Sequence, residues 1–330
     1  PPEGISVGHP AAFVAAAFGG MAAPMFVVIS GWGIHMSAVR RAADPSHTAG
    51  IWLRWLVPRV LLLSLCQLLV NLLLNADRGG RFEWQTPGVL TLLAIGALLA
   101  PVLIRLSMRS RALLMLAMMA FPLTLGDASG PDWPWWERVG SEGASEWLAR
   151  LLWNGTYPAL PWLGFMLLGS LIHDLADNPT ARERGIALGL AATTITAAVA
   201  AFKGIPWALT EGEAVLTFFP ASTAFLVVSG TFVLLAHRAL EGSEMRGGKP
   251  GGGDRLAFLE PAGRITLTIY VAHFAVLGAV ASAMQGEPRL GLVPAFAATI
   301  VHTLIWIPLA AWHQKHIPNI SFETLLKRIS

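Results

Sequence analysis

Residues 55–75 read WLVPRVLLLSLCQLLVNLLLN, and Arg59 is the one charged group among them. A helix rises about 1.5 Å per residue, so about 20 apolar residues cross the hydrocarbon core of a bilayer. The run is long enough, and it lacks the apolar-polar alternation of a barrel strand. Its backbone groups must be satisfied within the segment, which selects a helix. Working outward, similar apolar stretches lie at roughly 11–37, 87–107, 111–127, 157–173, 185–203, 215–238, 264–285 and 291–312. The whole chain has 330 residues, 54% hydrophobic and 13% charged, with mean hydropathy +0.58. A soluble domain carries about 25% charged residues. The sequence therefore predicts an all-α, polytopic membrane helix bundle, one domain over 1–330, with nine visible transmembrane helices. Disorder, a collagen-like chain and a disulfide scaffold are excluded, and the single cysteine, Cys66, has no intrachain partner.

Lys and Arg set the expected orientation. Seventeen of the 23 fall in one set of loops, from Arg40 and Arg41 through Arg105, Arg109, Arg111 and Arg264 to Arg328. Six fall in the other set: Arg78, Arg81, Arg138, Arg150, Lys203 and Arg289. The positive-inside rule puts the richer set, and the C-terminus, in the cytoplasm. Residue 1 then lies outside, which predicts a further N-terminal helix and ten spans in the full protein. The formal charge of +3 does not point to nucleic acid, because the basic residues flank apolar segments.

Two loops stand out. The outer segment 128–156 carries Trp133, Trp135, Trp136, Trp147 and Trp153. Tryptophan in such a place is an interface anchor first and a stacking surface for a flat ligand such as a sugar second. Within it, Glu142–Trp153 reads as a short amphipathic helix on the outer surface, and Asn154-Gly155-Thr156 fits a glycosylation sequon. The cytoplasmic stretch 240–256 is rich in glycine but lacks the Gly-Lys-Ser/Thr of a phosphate loop, so it reads as a flexible linker.

Ionisable groups inside spans are functional candidates. His273 and His302 each sit about 14–15 Å from the cytoplasmic end of their helices, near the midplane. Their helices are neighbours in sequence, so the two imidazoles are expected to face one space; the alternative is a buried histidine making one interhelical hydrogen bond. His9 precedes the first span, where a neutral imidazole suits a general base or an acyl carrier. His35, His237 and His313 fall near helix ends, where they cap carbonyls. His173 is followed by Asp174 in a loop. No spacing resembles a closed metal site, and no metal is expected. Pro24, after Gly19 and Gly20, kinks the first span and suggests that it borders a cavity.

Four stretches together resemble one family. They are Ala-Pro-Met-Phe-Val-Val-Ile-Ser-Gly (23–31), Gly-Val-Leu-Thr-Leu-Leu-Ala-Ile-Gly-Ala-Leu-Leu-Ala-Pro (88–101), Tyr-Pro-Ala-Leu-Pro-Trp-Leu-Gly-Phe-Met-Leu-Leu-Gly (157–169) and Gly-Arg-Ile-Thr-Leu-Thr-Ile-Tyr-Val-Ala-His (263–273). In order and spacing they resemble the heparan-alpha-glucosaminide N-acetyltransferase family of transmembrane acyltransferases, with its many bacterial relatives. The resemblance implies a bundle of ten or eleven helices with a path through it. It implies an acyl group, acetyl first, taken from cytoplasmic acetyl-CoA or another acyl-CoA. The acceptor would be a glycan or lipid-linked envelope molecule on the far side of a bacterial plasma membrane. The family's catalytic histidine precedes a Pro- and Phe-rich span that ends in Gly, and His9 matches it by position. His273 would orient or relay within the channel. Arg40, Arg41, Arg105, Arg109 and Arg264 would meet the donor phosphates, since guanidinium groups pair well with phosphate; ordinary positive-inside placement explains the same five. Met21-Ala22-Ala23 stands where the family often has an acidic residue before its Pro, and Thr91 where many relatives carry His. These departures keep a second reading open: a non-catalytic membrane subunit built on the same scaffold, as a homodimer or with other membrane partners.

Overall fold

The computed structural model describes residues 10–44, 49–209, 214–246, 256–284 and 290–329. Among them the architecture is all-α. Helices α1 (Pro10–Ala42), α2 (Ala49–Leu73), α3 (Val89–Leu103) and α4 (Met108–Ala120) run back and forth across the bundle. Short helices α5 (Trp135–Val139) and α6 (Ala144–Ala149) follow, then α7 (Ala159–Asp174), α8 (Pro179–Lys203) and α9 (Thr223–Arg246). The remainder is α10 (Glu260–Arg264), α11 (Thr266–Ala283), α12 (Leu292–Leu304), α13 (Trp306–His316) and α14 (Phe322–Ile329). Two two-residue strands, Ala208–Leu209 and Leu216–Thr217, pair in parallel in the connection between α8 and α9.

Six helical segments are long and apolar enough to cross a bilayer: Gly20–Ala42, Gly50–Leu73, Pro179–Lys203, Thr223–Leu240, Thr266–Ala283 and Val293–His316. A seventh is a bent pair, Ala144–Asn154 with Ala159–Asp174, angled at 43°. The nine expected segments all contain helix, but two are short. Helix α3 has 15 residues and α4 has 13, after which Phe121–Thr124 and Gly126–Ser129 tighten into 3-10 turns. Pro122 and the left-handed Gly126 (φ +49°) stop α4 before it reaches the expected residue 127. The stretch 240–256 differs from a linker at its start, where α9 continues to Arg246; residues 247–255 lie outside the described set.

The centre of the bundle is α7, in which every residue from Pro161 to Ile172 is buried. An all-round apolar helix of this kind belongs inside a bundle. Its neighbours approach closely because glycines meet it. A Cβ on Gly31 of α1 would fall 2.5 Å from the Met166 backbone, and one on Gly169 would fall 2.6 Å from the Trp32 amide nitrogen. On the far side of α7, a Cβ on Gly164 would meet Met119 of α4 at 2.9 Å. The outermost helices are apolar towards the surroundings instead: Leu188 and Ile195 of α8 and Val293 and Val301 of α12 are all more than 60% exposed. Apolar surface of that extent, on helices long enough to span a bilayer, fits a lipid environment.

Polar residues inside the leucine-rich α2 bind the loop that follows it. Gln67 and Asn71 are one turn apart and buried. Gln67 accepts from the Leu90 amide (3.1 Å), an otherwise open donor at the start of α3, and donates to Asn71 (2.9 Å). Asn71 in turn donates to the carbonyls of Trp84 (3.0 Å) and Thr86 (2.8 Å). The 128–156 segment is also built inward. Arg138 and Arg150 are 2% and 6% exposed, and both guanidinium groups lie over Trp133. Trp135 and Trp147 donate to the carbonyls of Arg81 and Gln85. Of residues 142–153, 142–146 and Leu148 lie exposed as the sequence predicts, while α6 runs into a π-turn, Arg150–Asn154, whose buried side packs against α7. Asn154 is buried, accepts from Arg150 (3.1 Å) and donates to the Ala128 carbonyl (3.2 Å), so the sequon is closed to glycosylation in this fold. At the other end of the molecule Glu323 of α14 caps α11, accepting from the amides of Leu267 (2.6 Å) and Thr268 (3.1 Å).

The glycine contacts predict opposite outcomes for one substitution at two places. Gly169→Ala pushes a methyl group into the α1 backbone and lowers stability by about 1–3 kcal/mol. At Gly33, where a Cβ meets nothing within 4 Å, the same change leaves stability unchanged or raises it by up to about 1 kcal/mol. Denaturation of the purified protein in detergent measures both.

Candidate functional site

Helices α1, α4 and α7 meet at the end of the bundle where Ala42, Met108 and Asp174 lie. Val28, Trp32 and His35 recur at three- and four-residue spacing along α1, and Met166, Ser170 and Asp174 do so along α7; these are the faces the glycines bring together. Arg111 enters from the first turn of α4, whose start is capped by the Ser107 hydroxyl. The result is a buried polar cluster. His35 Nε2 lies 3.0 Å from Asp174 Oδ1, and His173 Nδ1 lies 2.9 Å from the same oxygen. Arg111 pairs with the other oxygen, Oδ2, and donates to Ser170 Oγ (2.9 Å). His35, Arg111 and Ser170 are at most 5% exposed, while His173 and Asp174 are 28% exposed.

Arg111 is buried while Asp174 keeps contact with solvent, so the pair is only half desolvated, and the Asp174 carboxylate collects three donors. Beside it opens a narrow cleft of about 20 Å³, room for about one water molecule. Gly31, Ile34, Gly96, Ala100, Ile104 and Met166 form apolar walls, and His35 and Ser170 are its polar lining.

A second feature shares those walls. Trp55 of α2 packs with Ile34, Ala100 and Ile104, and two guanidinium groups cover its ring, Arg41 at 4.8 Å and Arg59 at 4.6 Å. Among the described residues neither arginine has a carboxylate within ion-pair distance, and Arg59 Nη1 is buried without a hydrogen bond. Two cations on one ring, short of anionic partners, make a local surplus of positive charge.

Of the residues singled out in the sequence, His9 lies outside the described residues. His273 and His302 are brought together, with ring centroids 6.0 Å apart, between Tyr270, Phe274 and Trp306. His302 Nε2 and Trp306 Nε1 are buried with no hydrogen-bond partner among the described residues. Tyr270 stacks on Phe26 at 5.6 Å, tying this group to α1. The five arginines are dispersed. Arg41 covers Trp55; Arg40, Arg105 and Arg109 are exposed; Arg264 pairs with Glu260 at 2.5 Å within its own helix. Sequence reasoning missed the His35–Arg111–Asp174 cluster and the part played by Arg59. The one local signal was the one-turn spacing of Ser170 and Asp174 at the end of an apolar helix.

Removing one partner of the buried pair tests its weight. Arg111→Met is expected to cost about 1–3 kcal/mol, because Asp174 keeps partial access to water. In an Asp174→Asn background the same change costs clearly less, because the charge it compensates is gone. Chemical denaturation of the four proteins in one detergent measures the coupling.

A family model described as an acyltransferase domain matches residues 2–312. No curated protein and no solved structure matches the chain. The match takes in every span from α1 through α12, together with the cleft, the Arg41–Trp55–Arg59 group and the polar cluster described above. The chain belongs to the acyltransferase domain family, and it is a membrane acyltransferase by type.

Proposed function

We propose that the protein transfers an acyl group, acetyl first among them, from cytoplasmic acyl-CoA to a sugar or other envelope acceptor across a bacterial plasma membrane, as the resemblance to the heparan-alpha-glucosaminide N-acetyltransferase family implies. The observation that carries this reading beyond the family match is the pair Arg41 and Arg59 on Trp55, next to an apolar cleft at the basic end of the bundle. A donor such as acetyl-CoA offers phosphates for the guanidinium groups, and arginine suits phosphate by geometry as well as charge. The exposed Arg40, Arg105 and Arg109 add long-range attraction at the mouth, and Arg264 belongs to the same basic set. With the basic end cytoplasmic by the positive-inside rule, donor and acceptor approach from opposite sides.

The chemistry requires an acceptor amine or hydroxyl to lose a proton as it attacks the thioester carbon, with the thiolate leaving. His9 is assigned as the base, and His273, next to His302, as the group that orients or relays within the bundle. Both assignments rest on position in the sequence and on the His273–His302 proximity.

Calorimetry with acetyl-CoA tests the donor half. One saturable site per chain is expected, weaker at high salt because charge contributes. Arg59→Gln lowers the affinity about tenfold, the scale of one charge-assisted hydrogen bond. His9→Ala leaves donor binding intact and abolishes transfer to the acceptor. A folded preparation that binds no acyl-CoA overturns the reading in favour of a non-catalytic membrane subunit.

A further inference from the structure

The polar cluster contains three donor atoms that the acyl-transfer reading does not use. His35 Nε2 and His173 Nδ1 point at the same atom, Asp174 Oδ1, from 3.0 and 2.9 Å. All three ligand atoms lie within 4.8 Å of one another. We propose that His35, His173 and Asp174 form a binding site for a divalent transition-metal ion, with Zn2+ the best match to the donors.

The donor set decides the class of ion. Two imidazole nitrogens and one carboxylate oxygen suit borderline metals, whereas Ca2+ and Mg2+ take six or more oxygens. Around a tetrahedral zinc ion, ligand atoms bound at about 2.0–2.1 Å stand about 3.3 Å apart. The His–Asp distances need to open by a few tenths of an ångström, and the two imidazole nitrogens, within 4.8 Å of each other, must settle at the same spacing. Each imidazole then offers a lone pair where it now approaches the carboxylate, with its proton on the other ring nitrogen. Three protein ligands leave a fourth position, and the partial exposure of His173 and Asp174 gives water access to it.

The surroundings supply what a metal site needs and also limit its strength. Arg111 holds Asp174 Oδ2 and so fixes the carboxylate with Oδ1 directed at the histidines, the usual task of an outer hydrogen-bond partner. Arg111 Nη1 is also 3.3 Å from His35 Nε2, and its charge opposes a second cation. Ser170 Oγ, at 2.9 Å, is the partner that keeps this nitrogen when His35 turns to the ion. The repulsion weakens the site and makes the ion exchangeable rather than permanently structural. Once bound, the ion cross-links α1 to α7 along one wall of the cleft. Spacing along the chain does not reveal the site, because His35 and Asp174 are 139 residues apart.

The test uses the full chain in detergent, stripped with a chelator and titrated with ZnCl2 by calorimetry, alongside thermal unfolding. One ion per chain is expected, with a rise in Tm, and none with MgCl2 or CaCl2. X-ray absorption of the zinc complex should show two imidazole ligands. His35→Ala and Asp174→Asn each weaken binding at least tenfold and remove the Tm rise. Both touch the buried pair, so His173→Ala serves as the variant that keeps the His35–Asp174–Arg111 contacts; it too loses at least tenfold. Absence of zinc binding by the folded wild type overturns the proposal. So does binding that survives all three substitutions, which would place the ion on other histidines such as His313 and His316. None of these readouts depends on acyl-CoA binding or turnover, so the proposal and the acyltransferase reading stand or fall separately.

Discussion

Everything in this bundle depends on how closely α1 can lie against α7. Helix α7 has 16 residues, about 24 Å of helix, and is wrapped by protein rather than lipid. Such a helix gains little from hydrophobic burial inside a membrane, where lipid is as apolar as leucine. Its place is held by packing, and packing is densest where Gly31 and Gly169 bring two backbones together. That approach sets the register of the two helices. It places His35 one turn beyond Gly31 opposite Ser170 and Asp174, and leaves the cleft between α1, α3 and α7 with narrow walls. The short α4 then closes the other side of α7 and delivers Arg111. The polar cluster is thus a product of backbone proximity.

The same logic separates the two ends of the molecule. At the end carrying the 128–156 segment, the buried arginines are spent on structure: Arg138 and Arg150 saturate carbonyls and sandwich Trp133. At the basic end, Arg41 and Arg59 cover a tryptophan in a similar way but, among the described residues, form no ion pair, and Arg59 Nη1 has no hydrogen-bond partner there. Similar chemistry yields a filled scaffold in one place and an anion-seeking surface in the other. The difference lies in how many acceptors the neighbouring backbone provides.

The class of fold was legible from apolar run lengths alone, because a bilayer imposes a minimum span that few soluble segments reach. Helix lengths near the centre were not. A hydropathy count sees 87–107 and 111–127 as full spans, yet α3, mostly buried in protein, has 15 residues, and α4, half open to the surroundings, stops at 13 where Pro122 and the 3-10 turns follow. The pairing of His273 with His302 was legible because a short connection makes their helices neighbours. The cluster at His35 was not, because each member had a sufficient local explanation: a helix end for His35, a topology signal for Arg111, a loop for His173 and Asp174. Nothing local in the chain pairs residue 35 with residue 174. The tryptophan-rich segment misled for a related reason, since indoles that anchor at an interface and indoles that bond loop carbonyls have the same composition.

The Glu323 cap on α11 bears on the order in which the protein is assembled. The first-turn amides of α11 are satisfied by a carboxylate that lies about 55 residues later in the chain, on a separate amphipathic helix. During synthesis α11 leaves the ribosome well before its cap exists. Its N-terminus must wait, with donors open to water or headgroups, until α12 and α13 have followed and α14 can fold back. The last stretch of the bundle is therefore fastened only after the helices it secures are already in the membrane, and a ribosome that stops short of Glu323 releases a chain whose α11 is inserted but not locked.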